Sequence, residues 1–144
     1  NHESERRGYE FVTRKISQAV AMIKLKKQKY LELGNLEAQR DWGYAPEYVE
    51  AMWLMLQQKA PDDYVVGTGK TYSIKYFVEN AFNVVGLNYQ KYVKINKIYF
   101  RPAEVKLLIA DYSKIHKKIG WKPKTGIEKL IEKMVNNDLK LLNN

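Results

Sequence analysis

The chain has 144 residues, 45% of them hydrophobic and 28% charged, a balance that fits one soluble globular domain and excludes a disordered tail. No apolar run approaches the ~18 residues of a membrane span, the polar N-terminus carries no export signal, and the absence of cysteine excludes disulfides and thiolate metal sites, so a cytoplasmic protein is expected. The net charge of +9, from 25 basic and 16 acidic side chains, raises the prospect of anionic partners such as nucleic acid, anionic lipid or a phosphorylated ligand.

Asn1-His2-Glu3-Ser4 is a polar, turn-like opening that does not begin with Met, and a fragment of a longer protein is expected. The spacing of Phe11, Ile16, Ala19, Val20 and Ile23 predicts a helix over 10–27, with the lysines of 24–29 on its solvated C-terminal end, where cations suit the helix dipole. Residues 30–33 read as a short strand stopped by Gly34-Asn35. Residues 40–44 read as a loop or short extended piece. Pro46 suits a first helical turn, and the helix it opens runs to Gln58. Tyr48, Val49, Met52, Trp53, Met55 and Leu56 make that helix so apolar that burial on more than one face is predicted. A turn at 61–63 leads to a short β-rich run over 64–67. Ser73 is a fitting N-cap for a helix over 74–85, ended by Gly86. Further extended pieces are predicted over 92–95 and 105–110, with an irregular aromatic segment over 98–102 between them. A helix opened by Asp111 and Ser113 stops at Gly120. Thr125-Gly126-Ile127-Glu128 matches a capping box for the final helix, which carries Leu130, Ile131, Met134 and Leu139. Helices alternate with short strands, which predicts an α/β architecture with too few strands for a complete doubly wound sheet.

The motifs that carry chemistry are sparse. Gly67-Thr68-Gly69-Lys70-Thr71 resembles the end of a phosphate-binding P-loop, but the first glycine would have to stand at Tyr64, so the loop is too short to wrap a phosphate. It reads instead as a tight turn between elements. No glycine fingerprint for a dinucleotide is present, and no tyrosine has a lysine four residues on. His2 and His116 lie far apart in sequence, and no metal site is expected. Glu47 and Glu50 read as the solvated edge of a helix. No self-contained catalytic apparatus is legible. The lysines are spread in ones and twos, so nucleic-acid binding rests on net charge alone, and a basic binding module is the alternative reading. Only five basic residues are arginine, and Arg40 and Arg101 stand beside aromatic residues. An arginine in such a setting calls for an anion. Two readings are open: a diphosphate, with Glu104 accepting from ribose hydroxyls, or internal pairs of Arg40 with Asp41 and Arg101 with Glu104.

Asn1 to Gly8, Phe11-Val12-Thr13-Arg14-Lys15-Ile16, Gly34-Asn35-Leu36 and the run from Arg40 to Trp53 together resemble the GDP-mannose 4,6-dehydratases. Tyr99-Phe100-Arg101-Pro102-Ala103-Glu104-Val105 and Gly120-Trp121-Lys122-Pro123-Lys124-Thr125 continue the resemblance in register. The Arg-Asp and Gly-Trp-x-Pro pieces are general to extended short-chain dehydrogenases acting on nucleotide sugars. The Asn-His-Glu-Ser opening with its Arg-Arg-Gly, and Asp-Trp-Gly-Tyr-Ala-Pro-Glu-Tyr-Val, are narrower. Glu5 stands where the family often has proline.

This resemblance implies an α/β fold class, the C-terminal half of an extended short-chain dehydrogenase. Residues 1–144 would form the GDP-sugar-binding portion, with late Rossmann elements around 35–68, and the NADP-binding Rossmann domain would lie upstream. It implies an enzyme that takes hydride from C4 of GDP-mannose to NADP, eliminates water across C5 and C6, and returns the hydride to C6. The catalytic Thr, Glu, Tyr and Lys would lie outside this chain, leaving it inactive alone. By the same resemblance Asn1, Val12, Lys15, Arg40, Arg101 and Glu104 meet the GDP-mannose substrate, and His2 and Arg7 meet NADP. A homo-oligomer, dimer or tetramer, is implied, without nucleic acid or membrane as partners. A GDP-sugar 4-keto-reductase or epimerase is the alternative within the class.

Overall fold

The computed structural model of the chain describes residues 1–100 and 105–143. The described elements are β1 (His2–Glu3), α1 (Val12–Lys24), β2 (Leu31–Leu33), β3 (Gln39–Arg40), β4 (Gly43–Tyr44), α2 (Ala45–Leu56), β5 (Tyr72–Ser73), α3 (Ile74–Val84), β6 (Val93–Ile95), β7 (Leu107–Leu108), α4 (Ser113–Ile119) and α5 (Ile127–Asn143). Single 3₁₀ turns at Tyr89–Lys91 and Lys97–Tyr99 flank β6. The α/β alternation expected from the sequence is present, but the strands are two or three residues long. They form three small sheets: β1 beside β4, β2 beside β6, and β3 between β5 and β7. All pairs are parallel except β3 with β5.

The core lies between α1, α3 and α5, with β2 alongside. Ile16, Val20, Phe77, Val78, Phe82, Ile131, Met134 and Val135 are fully buried there. The apolar residues of α1 and α5 recur at three- and four-residue spacing, which gives each helix one inward face. Ser73 caps α3 as expected, its hydroxyl accepting from the Tyr76 N–H at 3.0 Å. Across the core, Arg14 of α1 meets Asp138 of α5 at 2.6 Å, both side chains almost wholly buried. The Ser17 hydroxyl donates to the second Asp138 oxygen at 2.6 Å. Burial pushes the Asp138 carboxyl above its ordinary range, against the opposing pull of Ser17 and Arg14.

A second, smaller cluster joins Tyr48 and Ala51 of α2 to Ile115 of α4 and Trp121. It depends on Glu47, which is buried and not the solvated edge expected from the sequence. Its carboxylate accepts from the Lys124 N–H at 2.9 Å and the Thr125 hydroxyl at 2.5 Å. Its carbonyl accepts from the Trp121 indole at 2.9 Å. The Thr125 hydroxyl, read as half of a capping box, is therefore committed to another helix. Glu50 is exposed, as expected, and pairs with Lys124 at 3.1 Å.

Two further expectations are corrected. Residues 64–67 form no strand; the extended pairing falls at Tyr72–Ser73, where β3 supplies an edge. Helix α2 buries only Glu47, Tyr48 and Ala51. Val49, Met52, Trp53 and Leu56, spaced along one side of the helix, are 62%, 49%, 61% and 82% exposed. The apolarity of α2 is real, but among the described residues nothing covers that face.

Candidate functional site

The residues that carry the site come from four places in the chain. Val12 and Lys15 stand in the first turn of α1. Leu33, Gly34 and Asn35 end β2, Arg40 ends β3, and Ile98, Tyr99 and Phe100 follow β6. Together with Glu10 and Ile74 they line one cleft of about 380 Å³. Thus Val12, Lys15 and Arg40, three of the substrate positions implied by the resemblance, share one hollow. Arg101 and Glu104 lie outside the described residues. Asn1 does not line the cleft; its carbonyl accepts from the Gly43 N–H at 3.1 Å, at the end of the β1–β4 pair.

The two cations differ in their settings. The Arg40 guanidinium donates to the carbonyls of Gln39 at 2.8 Å and Val105 at 2.7 Å, which fixes the side chain across the strand. The Lys15 ammonium lies 3.8 Å from the centre of the Tyr99 ring. No hydrogen bond or ion pair joins that ammonium to a described residue. Burial lowers its pKa, with Glu32 pulling the other way. A partly desolvated cation without a hydrogen-bonding partner gains most from an anion.

Asp41, next to Arg40, points away from the cleft because successive residues of an extended segment face opposite sides. Its carboxylate accepts from the N–H groups of Thr68 (2.9 Å), Gly69 (2.9 Å) and Ala110 (3.2 Å), and from the Thr68 hydroxyl (2.6 Å). The internal Arg40–Asp41 pair left open by the sequence does not form. The Gly67-Thr68-Gly69 turn is a nest for an internal carboxylate, not for a phosphate. Gly69 has φ of +70°, and a Cβ on Gly67 would stand 2.2 Å from that of Ala110. Asp41 thereby ties the segment after β7 to the strand that carries Arg40.

The proposed cofactor positions lie beside β1. His2 is exposed, and its ring centre is 5.6 Å from that of Tyr48. Burial, and after it the charge of Arg7, lowers its pKa, which favours the neutral imidazole near pH 7. Arg7 pairs with the buried Glu3 at 3.3 Å and lies 3.4 Å over the Phe11 ring. Glu3 also accepts from the Thr13 hydroxyl at 2.6 Å, and burial raises its pKa. A neutral, exposed imidazole suits hydrogen bonding to a polar ligand, whereas Glu3 already offsets much of the Arg7 charge.

The sequence profile of the family GDP-mannose 4,6 dehydratase matches residues 1–134. The chain belongs to that family. Among its relatives, GDP-mannose 4,6 dehydratase 1 of Arabidopsis thaliana is 56% identical over 141 residues, covering 98% of this chain and 39% of that protein. The GDP-mannose 4,6 dehydratase of Homo sapiens is 42% identical over 159 residues, covering 99% of this chain and 43% of that protein. The chain therefore spans about two fifths of the length of these curated relatives. Among solved structures, RMD from Pseudomonas aeruginosa, complexed with NADPH, matches with a TM-score of 0.89 at 20% identity, over 98% of this chain and 46% of that one. The dTDP-glucose 4,6-dehydratase from Bacillus anthracis, in complex with NAD, matches with a TM-score of 0.81 at 16% identity, over 97% and 42%. These likenesses show that the fold is that of the extended short-chain dehydrogenases, as the sequence led us to expect. Among the described residues no helix is long and apolar enough to cross a membrane.

Three contributors to the cleft escaped the sequence reading. Gly34 and Asn35 were read as a strand stop and Tyr99 as part of an irregular aromatic segment; all three also stand in runs that carry the family resemblance, but none was assigned to the site. The signal for Gly34 was present but ambiguous, because a glycine after a strand marks a turn as readily as a close approach. Here it is a close approach: a Cβ would stand 2.5 Å from the Tyr99 carbonyl oxygen. Gly34→Ala is expected to displace the 97–99 turn and to lower stability by ~1–3 kcal/mol, read as a lower urea midpoint at unchanged slope.

Proposed function

We propose that this chain supplies the GDP-sugar-binding portion of a GDP-mannose 4,6-dehydratase. The observation that carries this reading is the Lys15 ammonium, partly desolvated and held by no hydrogen bond or ion pair to a described residue, in one cleft with Arg40. Two cations on one wall suit the two phosphoryl groups of a nucleoside diphosphate. Val12 and Ile74 offer apolar surface to a base, and the Asn35 amide offers a donor, its oxygen already accepting from the Glu37 N–H at 2.9 Å. Arg101 and Glu104 are proposed to complete the contacts to diphosphate and ribose. In the whole enzyme His2 and Arg7 of this chain would help to hold NADP, which would accept hydride from C4 of the sugar and return it to C6, with water lost across C5 and C6 and GDP-4-keto-6-deoxymannose as product. This chain's residues hold the GDP half and so fix where the sugar lies; the groups that act on the sugar belong to the rest of the enzyme. The upstream Rossmann portion is the proposed cover for the exposed face of α2. It is also the proposed source of the further strands that the two-stranded β1–β4 sheet calls for. The intact enzyme is proposed to be a homo-oligomer.

Calorimetric titration of the chain with GDP, UDP and guanosine tests this reading. GDP should bind more tightly than either UDP or guanosine. Arg40→Ala and Lys15→Ala should each weaken GDP by about tenfold or more, as the loss of a charge-assisted contact requires, and leave guanosine unchanged. The chain alone should not turn over GDP-mannose with NADP. Equal binding of GDP and guanosine, or indifference of GDP to both substitutions, sinks the proposal.

A further inference from the structure

We propose that Tyr99 is a positioning residue for the diphosphate: its ring holds the Lys15 ammonium at the cleft wall before any ligand arrives. This rests on the reading of the cleft as a nucleoside diphosphate site, and it adds a residue that acts through Lys15.

The argument begins with lysine itself. Its four-carbon stem has several freely rotating bonds, and a free lysine must surrender much of that freedom when it grips a phosphate. A lysine held in place beforehand loses less on binding, so the ligand is held more tightly. The face of an aromatic ring suits this task. It attracts the ammonium without neutralising its charge, so the N–H donors turned away from the ring stay available to phosphate oxygens. A carboxylate in the same place would hold the lysine by the charge the ligand needs.

Tyr99 is itself held firmly. The Asn96 N–H donates to the Leu33 carbonyl at 2.8 Å, which fastens the segment to the end of β2. The Asn96 side chain accepts from the Ile98 N–H at 3.1 Å and donates to Glu32 at 3.2 Å. The Tyr99 N–H closes the turn on the Asn96 carbonyl at 3.2 Å. Gly34 leaves the space into which the Tyr99 carbonyl fits. Four hydrogen bonds and one close backbone approach thus fix the 96–99 turn, while Tyr99 itself stays 49% exposed and contributes little to the core. A half-exposed aromatic anchored at the backbone, with a cation on its face that no hydrogen bond or ion pair to a described residue holds, is better explained by what it does to the cation than by packing.

The test is a double-mutant cycle on GDP affinity, with guanosine as the ligand that lacks phosphates. Tyr99→Leu keeps apolar bulk and removes the ring; Tyr99→Phe keeps the ring and removes the hydroxyl. GDP affinity should fall about three- to tenfold in Tyr99→Leu and stay within about twofold of the parent in Tyr99→Phe. In a Lys15→Met background Tyr99→Leu should cost nothing further, and guanosine should be indifferent throughout. The inference is overturned if Tyr99→Leu leaves GDP affinity unchanged, weakens it equally in both backgrounds, or weakens guanosine as much as GDP. If GDP affinity ignores Lys15 and Arg40 as well, the diphosphate reading fails with it. If it depends on both cations but shows no coupling to Tyr99, only the positioning role is lost.

Discussion

Asp138→Ala is expected to lower the unfolding free energy of the chain by ~3–5 kcal/mol, the cost of leaving one partner of a buried ion pair without the other. The Arg14 guanidinium is 3% exposed and lies 2.6 Å from Asp138. Once the carboxylate is gone, the Tyr9 hydroxyl at 3.5 Å is too distant to replace it. The Ser17 hydroxyl loses its 2.6 Å acceptor at the same time and keeps only the Arg14 carbonyl at 3.2 Å. Against a total stability of roughly 5–15 kcal/mol for a domain of this kind, such a loss lowers the denaturant midpoint by about a fifth or more. The contrast is a paired replacement, Arg14→Met with Asp138→Leu, which removes both charges and fills the space. It should lie within ~1–2 kcal/mol of the parent, because the desolvation of two ions offsets most of their attraction. Equal losses in the single and paired variants would show that packing, not the stranded charge, sets the cost.

The second large effect is expected at Asp41. Its carboxylate serves three backbone N–H groups and one hydroxyl, from residues 68, 69 and 110. Asp41→Ala leaves these donors without an acceptor in a partly closed space. A loss of ~2–4 kcal/mol follows, less than the sum of the separate bonds because the turn opens to water. Asp41→Asn keeps one acceptor oxygen and should fall between the parent and the alanine variant. Amide hydrogen exchange distinguishes this from a general loss of stability. Thr68, Gly69 and Ala110 should lose protection in Asp41→Ala well before the amides of α1 and α5 do. Uniform loss across the chain would contradict the assignment of Asp41 as a local clasp. Because β3 carries Arg40 and pairs with β7, GDP affinity should weaken in the same variant.

These two expectations concern residues that the sequence presented without their partners. Arg14 is one of only five arginines in a lysine-rich chain, and no residue beside it in sequence names its partner. Nothing local tells that Asp138, 124 positions later, meets it across a helix pair. Asp41 reads as half of an Arg-Asp dipeptide. The pairing that dipeptide suggests is the one its extended backbone forbids, since neighbours in a strand face opposite sides. Glu47 was legible as a helix residue but not as a buried one, because the groups that satisfy it come from 121–125.

The helices were legible for a physical reason: α1, α3 and α5 each repeat one apolar face over three turns or more, and the core they share rewards that period. The strands were less so. Two or three residues are too few to show an alternation, and the run at 64–67 has the composition of a strand without a neighbour to pair with. Family membership rested on runs of adjacent residues, such as Asp41-Trp42-Gly43-Tyr44-Ala45-Pro46, and adjacency survives in one dimension. The convergence of Lys15, Arg40 and Tyr99 on one hollow does not. It arises because β2 pairs with β6 and β3 with β7, contacts closed over sixty or more intervening positions. Local order along the chain therefore chose the helices and the lineage, while long-range pairing alone set which cation faces which ring, and which carboxylate is left for which amide.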